Sequence, residues 1–330
     1  MSRQSSHIPV IDVLRGVAAS MVCFFHFVCE TIGFIHTDWV LHIFHFGSKG
    51  VQVFFVISGI VIPLSMINAK YTLSKWHKFI LRRFVRIEPP YLIAVLIGIF
   101  YLFIRNYVPN TVEADLFPSG FEIILHIGYL IPFFEGTSWI NPVFWTLAIE
   151  FQYYLFLSIL FPLLLSNKLW ARILFYGTFL ILPFLGFENS FFTFWSAYFL
   201  FGILYVLWFK KIIGLWEFMV LMTLDVLLIY QFYGIEDLLF AVFTLLIIHF
   251  LYFFKFKLGV FIGKISYSLY LLHSIVGAAC VNYLSHYVTH WYWKIALILL
   301  GYGISIFSAW VMYILIENPS HKFAKKRIKL

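Results

Sequence analysis

Apolar runs long enough to cross a lipid bilayer recur along this chain, and they constrain its fold more than any other feature. A spanning α-helix needs about 20 predominantly apolar residues. Ten stretches reach or approach that length: Val10–Val28, Gly50–Ile67, Pro89–Ile104, Phe144–Leu165, Ala171–Gly186, Phe191–Phe209, Ile212–Phe232, Leu238–Phe254, Ile265–Leu284 and Ile295–Ile316. The third, fifth and eighth are short, which tilt or local thinning of the bilayer can absorb. The expected fold is therefore an all-α integral membrane protein of about ten transmembrane helices, one membrane domain over residues 1–330 with no additional soluble domain. Composition agrees: 62% of the residues are hydrophobic and 12% are charged, against about 45–50% and about 25% in soluble domains. The first run contains Asp12 and Arg15 with no small-residue cleavage signal after it, so it reads as a retained helix rather than a signal peptide.

The net charge of +8 is spread as short basic clusters between apolar runs, the pattern of membrane orientation rather than of a nucleic-acid groove. With the N-terminus in the cytoplasm and the spans alternating, one set of segments holds Arg3, Lys70, Lys75, Lys78, Arg82, Arg83, Arg86, Lys168, Arg172, Lys210, Lys211, Lys255, Lys257 and Lys264. That set also takes the basic tail from Lys322 to Lys329. The other set holds Lys49, Arg105 and Lys294 beside nine acids, among them Glu30, Asp38, Glu113, Asp115, Glu122 and Glu236. This asymmetry places both termini in the cytoplasm. Lys70 to Glu88 mixes basic and aromatic residues and reads as a helix lying on or under the membrane. Phe121 to Phe134, on the other side, reads as a re-entrant or surface helix. Cys23, Cys29 and Cys280 have no metal or disulfide spacing and read as small buried side chains. His36, His42 and His45 lack a carboxylate to complete a metal site.

Charges inside a membrane helix are costly and face the protein interior or a water-filled cavity. Eleven residues separate Arg15 from His26, which on an α-helix is about 20° of net rotation and about 16 Å of rise. Both therefore share one face, Arg15 near the cytoplasmic end and His26 toward the outer half, with Asp12 one turn below Arg15. Histidine titrates near working pH and suits a general base. Arginine presents a permanent charge and a fork of donors that suits phosphate. A lone structural histidine and a snorkelling arginine would look the same residue by residue, but a polar stripe through lipid favours function.

Further candidates follow along the chain. Ser58-Gly59 permits close approach of a neighbouring helix and can equally touch substrate. Arg83 and Arg86 share a helical face at the cytoplasmic boundary, where lipid-headgroup anchoring explains them as readily as an anionic donor. Glu150 lies inside the fourth apolar run near Trp145 and Tyr154, placed to tune His26 or hold an acceptor, or simply to bond a buried donor. Tyr270 and His273 are one turn apart and can line the cavity or join helices.

The ordered set Asp12-Val13-Leu14-Arg15-Gly16 with His26, Gly50-Val51 with Phe54-Phe55 and Ser58-Gly59, Arg82-Arg83-Phe84-Val85-Arg86-Ile87 with Pro90-Tyr91, Trp145-Thr146-Leu147 with Glu150 and Tyr153-Tyr154, Gly263 to Leu271 with His273, and Glu317 with Pro319 closely resembles the acyltransferase 3 family of membrane O-acyltransferases. The resemblance covers essentially the whole chain. It implies transfer of an acyl group, usually acetyl, from cytoplasmic acyl-coenzyme A to a hydroxyl of an envelope carbohydrate or lipid-linked glycan. The acyl-coenzyme A (acetyl-coenzyme A) is a co-substrate, no cofactor is bound permanently, and the location is the bacterial plasma membrane. His26 becomes the catalytic histidine, with Glu150 beside it, and Arg15, Arg83 and Arg86 become donor-binding. Thr146 stands where serine is common, retaining the hydroxyl. Some relatives carry an extra periplasmic domain that helps transfer, so a separate partner is a further expectation. The competing expectation is a transporter or flippase, although no paired Gly/Pro-broken helices mark matching halves.

Overall fold

The computed structural model describes residues 8–106 and 117–328, and these residues contain helices and loops with no β-strand. Arg3, Glu113, Asp115 and Lys329 lie outside the described residues. In chain order the α-helices are α1 (Pro9–Val28), α2 (Asp38–His45), α3 (Gly50–Asn68), α4 (Trp76–Arg105), α5 (Gly120–Ile127), α6 (Trp145–Leu164), α7 (Leu169–Ile181) and α8 (Phe192–Phe209). They continue as α9 (Leu215–Tyr233), α10 (Ile235–Phe250), α11 (Lys257–Lys264), α12 (Ser266–Leu272), α13 (Ala279–Ser285), α14 (Trp291–Met312) and α15 (Asn318–Arg327).

Eight helical segments among the described residues are long and apolar enough to cross a membrane. They match eight of the ten expected spans. The other two are shorter helices: the segment Leu169–Leu185 and the 16-residue α10. The third expected span differs in the opposite sense. Its expected start is Pro89, and proline removes a helical hydrogen bond and usually ends a helix. The structure instead runs α4 through Pro89 and Pro90 as one 30-residue helix. The carbonyls that Pro89 and Pro90 leave without a helical N–H are those of Val85 and Arg86, four residues earlier; the Tyr267 hydroxyl donates just beyond them, to the carbonyl of Ile87 at 2.8 Å. The amphipathic helix expected between Lys70 and Glu88 is thus the first half of α4. The segment from Phe121 to Phe134 holds the eight-residue α5, started by a capping box between Ser119 and Glu122.

Helix α8 is the hub of the core, with residues 195–207 all buried. It crosses α3 where glycines face each other: a Cβ at Gly59 would stand 2.3 Å from the Phe199 carbonyl oxygen, and one at Gly202 would stand 2.3 Å from that of Val56. A second close crossing joins α1 to α11, where a Cβ on Gly263 would strike the Asp12 carbonyl. Small residues allow backbones to pack this closely in membranes, where the hydrophobic effect does not drive helices together. At one end of the bundle α15 packs against α4, bringing His321 and Ala324 to Arg82, Arg83 and Arg86 of α4; this is the basic end. Helix α1 runs from the basic end toward the opposite end.

Candidate active site

Three cavities follow one another through the bundle. At the basic end, α4 and α15 meet around an empty volume of about 470 Å³ lined by Ser65, Arg82, Arg83, Arg86 and His321, and no carboxylate among the described residues lines it. Arg83 is buried and held from three sides. Its Nη2 donates to Ser65 Oγ at 3.4 Å, and its guanidinium lies 5.4 Å from the ring centre of Phe79 and 5.6 Å from that of Tyr154.

Arg86 and Val61 also line the next cavity, a space of about 750 Å³ between α1, α3, α6 and α12. Arg15, Ser58, Glu150, Tyr154 and Tyr270 face it. Glu150 accepts hydrogen bonds from Ser58 Oγ at 3.1 Å and from the Tyr154 hydroxyl. Tyr154 therefore links the carboxylate of Glu150 to the guanidinium of Arg83. Arg15 lies within electrostatic reach of Arg86, Glu317, Glu150 and Asp12. Glu317 is buried in a π-helical segment, Tyr313–Glu317, and accepts from the Ser268 hydroxyl at 2.6 Å and the Ser268 N–H at 3.3 Å. Such π segments recur at functional sites because they redirect side chains within a helix.

The third cavity, about 1630 Å³, opens at the opposite end and is lined by His26 with Trp139, Asn141, Ser274, Asn282 and Glu122. Asn141 is fully buried and fixes this region. Its Nδ2 donates to the Leu271 carbonyl at 3.0 Å, while its Oδ1 accepts from Ser274 Oγ at 2.6 Å and from the Val143 N–H at 3.2 Å. The loop before Asn141 is anchored by His126, whose Nε2 accepts from the Ile140 N–H at 3.1 Å and whose Nδ1 donates to the Glu122 carbonyl at 2.8 Å. Burial pushes the pKa of His126 below the ordinary histidine value, which suits the neutral ring this pairing requires. Between the central and opposite-end cavities lies His273, its ring centre 5.0 Å from that of His26 and 5.8 Å from that of Tyr270. Thr146 Oγ1 donates to the Tyr270 hydroxyl at 3.0 Å.

A polar path of this kind, with arginines at one end and a histidine at the other, is set in a chain whose residues 8–316 match a family model described as an acyltransferase domain. The chain belongs to the acyltransferase 3 family. A protein of Acidianus two-tailed virus named "Putative acetyltransferase" is 26% identical over 302 residues, covering 83% of this chain and 84% of its own. A protein of Staphylococcus aureus (strain COL) named "Putative O-acetyltransferase" is 29% identical over 175 residues, half of this chain but 27% of its own. No solved structure matches the chain.

Within this acyltransferase the candidates named from sequence divide among the cavities. Arg15, Ser58, Glu150, Tyr154 and Tyr270 converge on the central one, and Arg86 reaches both it and the basic-end cavity, where Arg83 lies. Asp12 joins them through the field of Arg15. His26 alone of the named residues lines the opposite-end cavity. Of the three roles open to Glu150, tuning His26, holding an acceptor or bonding a buried donor, the observed bonds from Ser58 and Tyr154, on the arginine side, are of the third kind. Trp145 packs on Trp195 at 5.7 Å between ring centres, while its neighbour Thr146 is the lining residue. Asn141, Ser274 and His321 were not singled out. A buried Asn followed by Pro142 before a spanning helix was the one available signal, and it looks like an ordinary helix start.

Proposed function

We propose that this protein is an O-acetyltransferase that moves an acetyl group from acetyl-coenzyme A at the basic end to a carbohydrate hydroxyl of the cell envelope at the other. The observation that carries the reading is the succession of cavities from Arg82, Arg83 and Arg86 through Arg15 to His26. An elongated, polyanionic donor with its reactive thioester far from its phosphates suits that succession. Arg83 and Arg86 take the phosphates, and Arg15 holds the donor further in. Glu150, fixed by Ser58 and Tyr154, keeps the facing arginines ordered before the donor arrives. At the opposite end His26 accepts the proton of the acceptor hydroxyl as its oxygen forms a bond to the thioester carbonyl carbon. The carbon–sulfur bond then breaks, and the imidazolium returns the proton to the coenzyme A thiolate.

Trp139 supplies an aromatic platform beside Asn141, Asn282 and Glu122, the mix of ring face and hydrogen-bonding groups that suits a sugar or a lipid-linked glycan. A separate periplasmic partner completing transfer is compatible with this open cavity. The test is acetyl-coenzyme A consumption by protein reconstituted in liposomes with envelope glycans as acceptor. His26→Ala is expected to abolish thiol release while coenzyme A binding persists. Unchanged thiol release in that variant refutes the mechanism, and a wild-type protein that neither binds coenzyme A nor consumes thioester is a transporter or flippase.

A further inference from the structure

A general base needs one bare ring nitrogen facing the hydroxyl it deprotonates, and which nitrogen is bare is set by the bond the other one makes. For His26, the ring that meets it from the protein interior is that of His273, 5.0 Å away between ring centres and inclined by 54°.

The protonation of His273 can be read from its surroundings. The ring is fully buried, and its Nδ1 lies 2.8 Å from the Tyr270 carbonyl oxygen and 3.2 Å from that of Leu269. Carbonyl oxygens only accept, so Nδ1 carries the hydrogen and Nε2 is left as a bare lone pair. That Nε2 is buried and has no hydrogen-bond partner among the described residues. Buried polar atoms are almost always paired, and an exception asks for an explanation. The local backbone points the same way. His273 opens a π-helical segment, His273–Ala278, and the next residue, Ser274, is tied to Asn141. The ring is thus held by the carbonyls of its own helix, whose next residue is tied to the loop before α6, and its free acceptor is left between His26 and Tyr270.

We propose that His273 is the positioning residue of His26. When substrate fills the site, the ring N–H of His26 on that side donates to Nε2 of His273. The opposite nitrogen of His26 then stays bare toward the acceptor hydroxyl. The proton of that hydroxyl moves to His26, whose imidazolium is held by the same bond, and from His26 to the departing thiolate; His273 stays neutral throughout. Catalytic hydrogen bonds are often long or poorly aligned without substrate and tighten in the reacting complex, which fits two rings in contact with one acceptor still unpaired. The inference rests on the acyl-transfer reading above, but its central claim concerns a tautomer and is measurable without turnover.

The experiment uses the full chain in lipid nanodiscs, labelled with ¹⁵N-histidine, with acetyl-coenzyme A as the probe and His26→Asn to assign the His26 signals. In the wild-type protein His273 is expected as the Nδ1–H tautomer and His26 as a single neutral tautomer. In His273→Phe, which keeps a ring of similar size without an acceptor, His26 is expected to populate both tautomers. Thiol release should fall about 100-fold in kcat, a share of what a general base typically contributes, with the KM for acetyl-coenzyme A unchanged. His273→Gln, whose amide can donate to the Tyr270 carbonyl and accept from His26, should recover most of the loss. A merely structural role predicts no such rescue and no tautomer change. Wild-type His26 already populating both tautomers, or full turnover in His273→Phe, overturns the proposal. Should the Phe variant fail to fold, the wild-type spectrum alone decides. Absence of thioester consumption by the wild type overturns the acyl-transfer reading instead, and leaves the tautomer result to be judged separately.

Discussion

Replacing Gly59 with alanine tests whether the α3–α8 crossing fixes the cavity walls. The added Cβ would stand 2.3 Å from the carbonyl oxygen of Phe199, where ordinary contact begins at 3.4 Å, so the two backbones must part by about 1.1 Å. The obstruction is main chain and no rotamer change relieves it. Overpacking of this kind costs typically about 1–3 kcal/mol, and a clash between two backbones belongs at the upper end. Alanine in a helix interior returns about 0.5–1 kcal/mol relative to glycine, so the net expected loss is about 2 kcal/mol. Gly303 in α14 and Gly177 in α7 provide the control, because a Cβ there meets nothing within 4 Å. Alanine at those sites should stabilise by about 0.5–1 kcal/mol. Thermal unfolding of the purified protein in detergent measures both signs. Because Ser58 and Ser65 ride on α3, Gly59→Ala should also weaken coenzyme A binding, whereas Gly303→Ala should not. A Gly59→Ala protein as stable as Gly303→Ala would refute the argument that backbone contact sets this crossing.

Other expected outcomes concern single polar groups. Arg83→Lys keeps the charge but loses the planar fork that suits phosphate, so the KM for acetyl-coenzyme A should rise about tenfold or more with a smaller change in kcat, read from initial rates. The ion pair of Lys49 with Asp237 is largely buried, and Gln52 and Tyr198 also donate to Asp237, at 2.8 and 3.0 Å; Lys49→Met should cost about 3–5 kcal/mol by stranding the carboxylate, and Lys49→Met with Asp237→Asn should recover part of it in the same melting assay. His126 is neutral in the fold with its pKa lowered by burial from the usual 6.5. Its contribution to stability is therefore fully present above about pH 6.5 and is lost as pH falls from there through the depressed folded value. The protection factor of the Ile140 amide, its exchange rate corrected for the intrinsic pH dependence, should drop over that fall, and His126→Gln should flatten the dependence.

How much of this was legible in the sequence depends on whether a property is local. Helical class, the spanning runs, the sign of each connecting segment and the shared face of Arg15 and His26 follow from solvent preference and the helical period, which act over one helix at a time. A local rule failed at Pro89 and Pro90, which end no helix: α4 runs through both, tertiary context overriding propensity. The partners of the candidate residues were not local. That Glu150 meets Ser58 across 92 residues, that His273 is the ring beside His26, and that Asn141 bonds Leu271 and Ser274 across 130 and 133 residues depend on the depth at which helices cross. Contacts between glycine-lined backbones set that depth at Gly59 and Gly202 and at Gly263. The sequence by itself determined which side chains must avoid lipid; the tertiary structure alone decided which of them meet, because helix registry is fixed by packing between segments far apart in the chain.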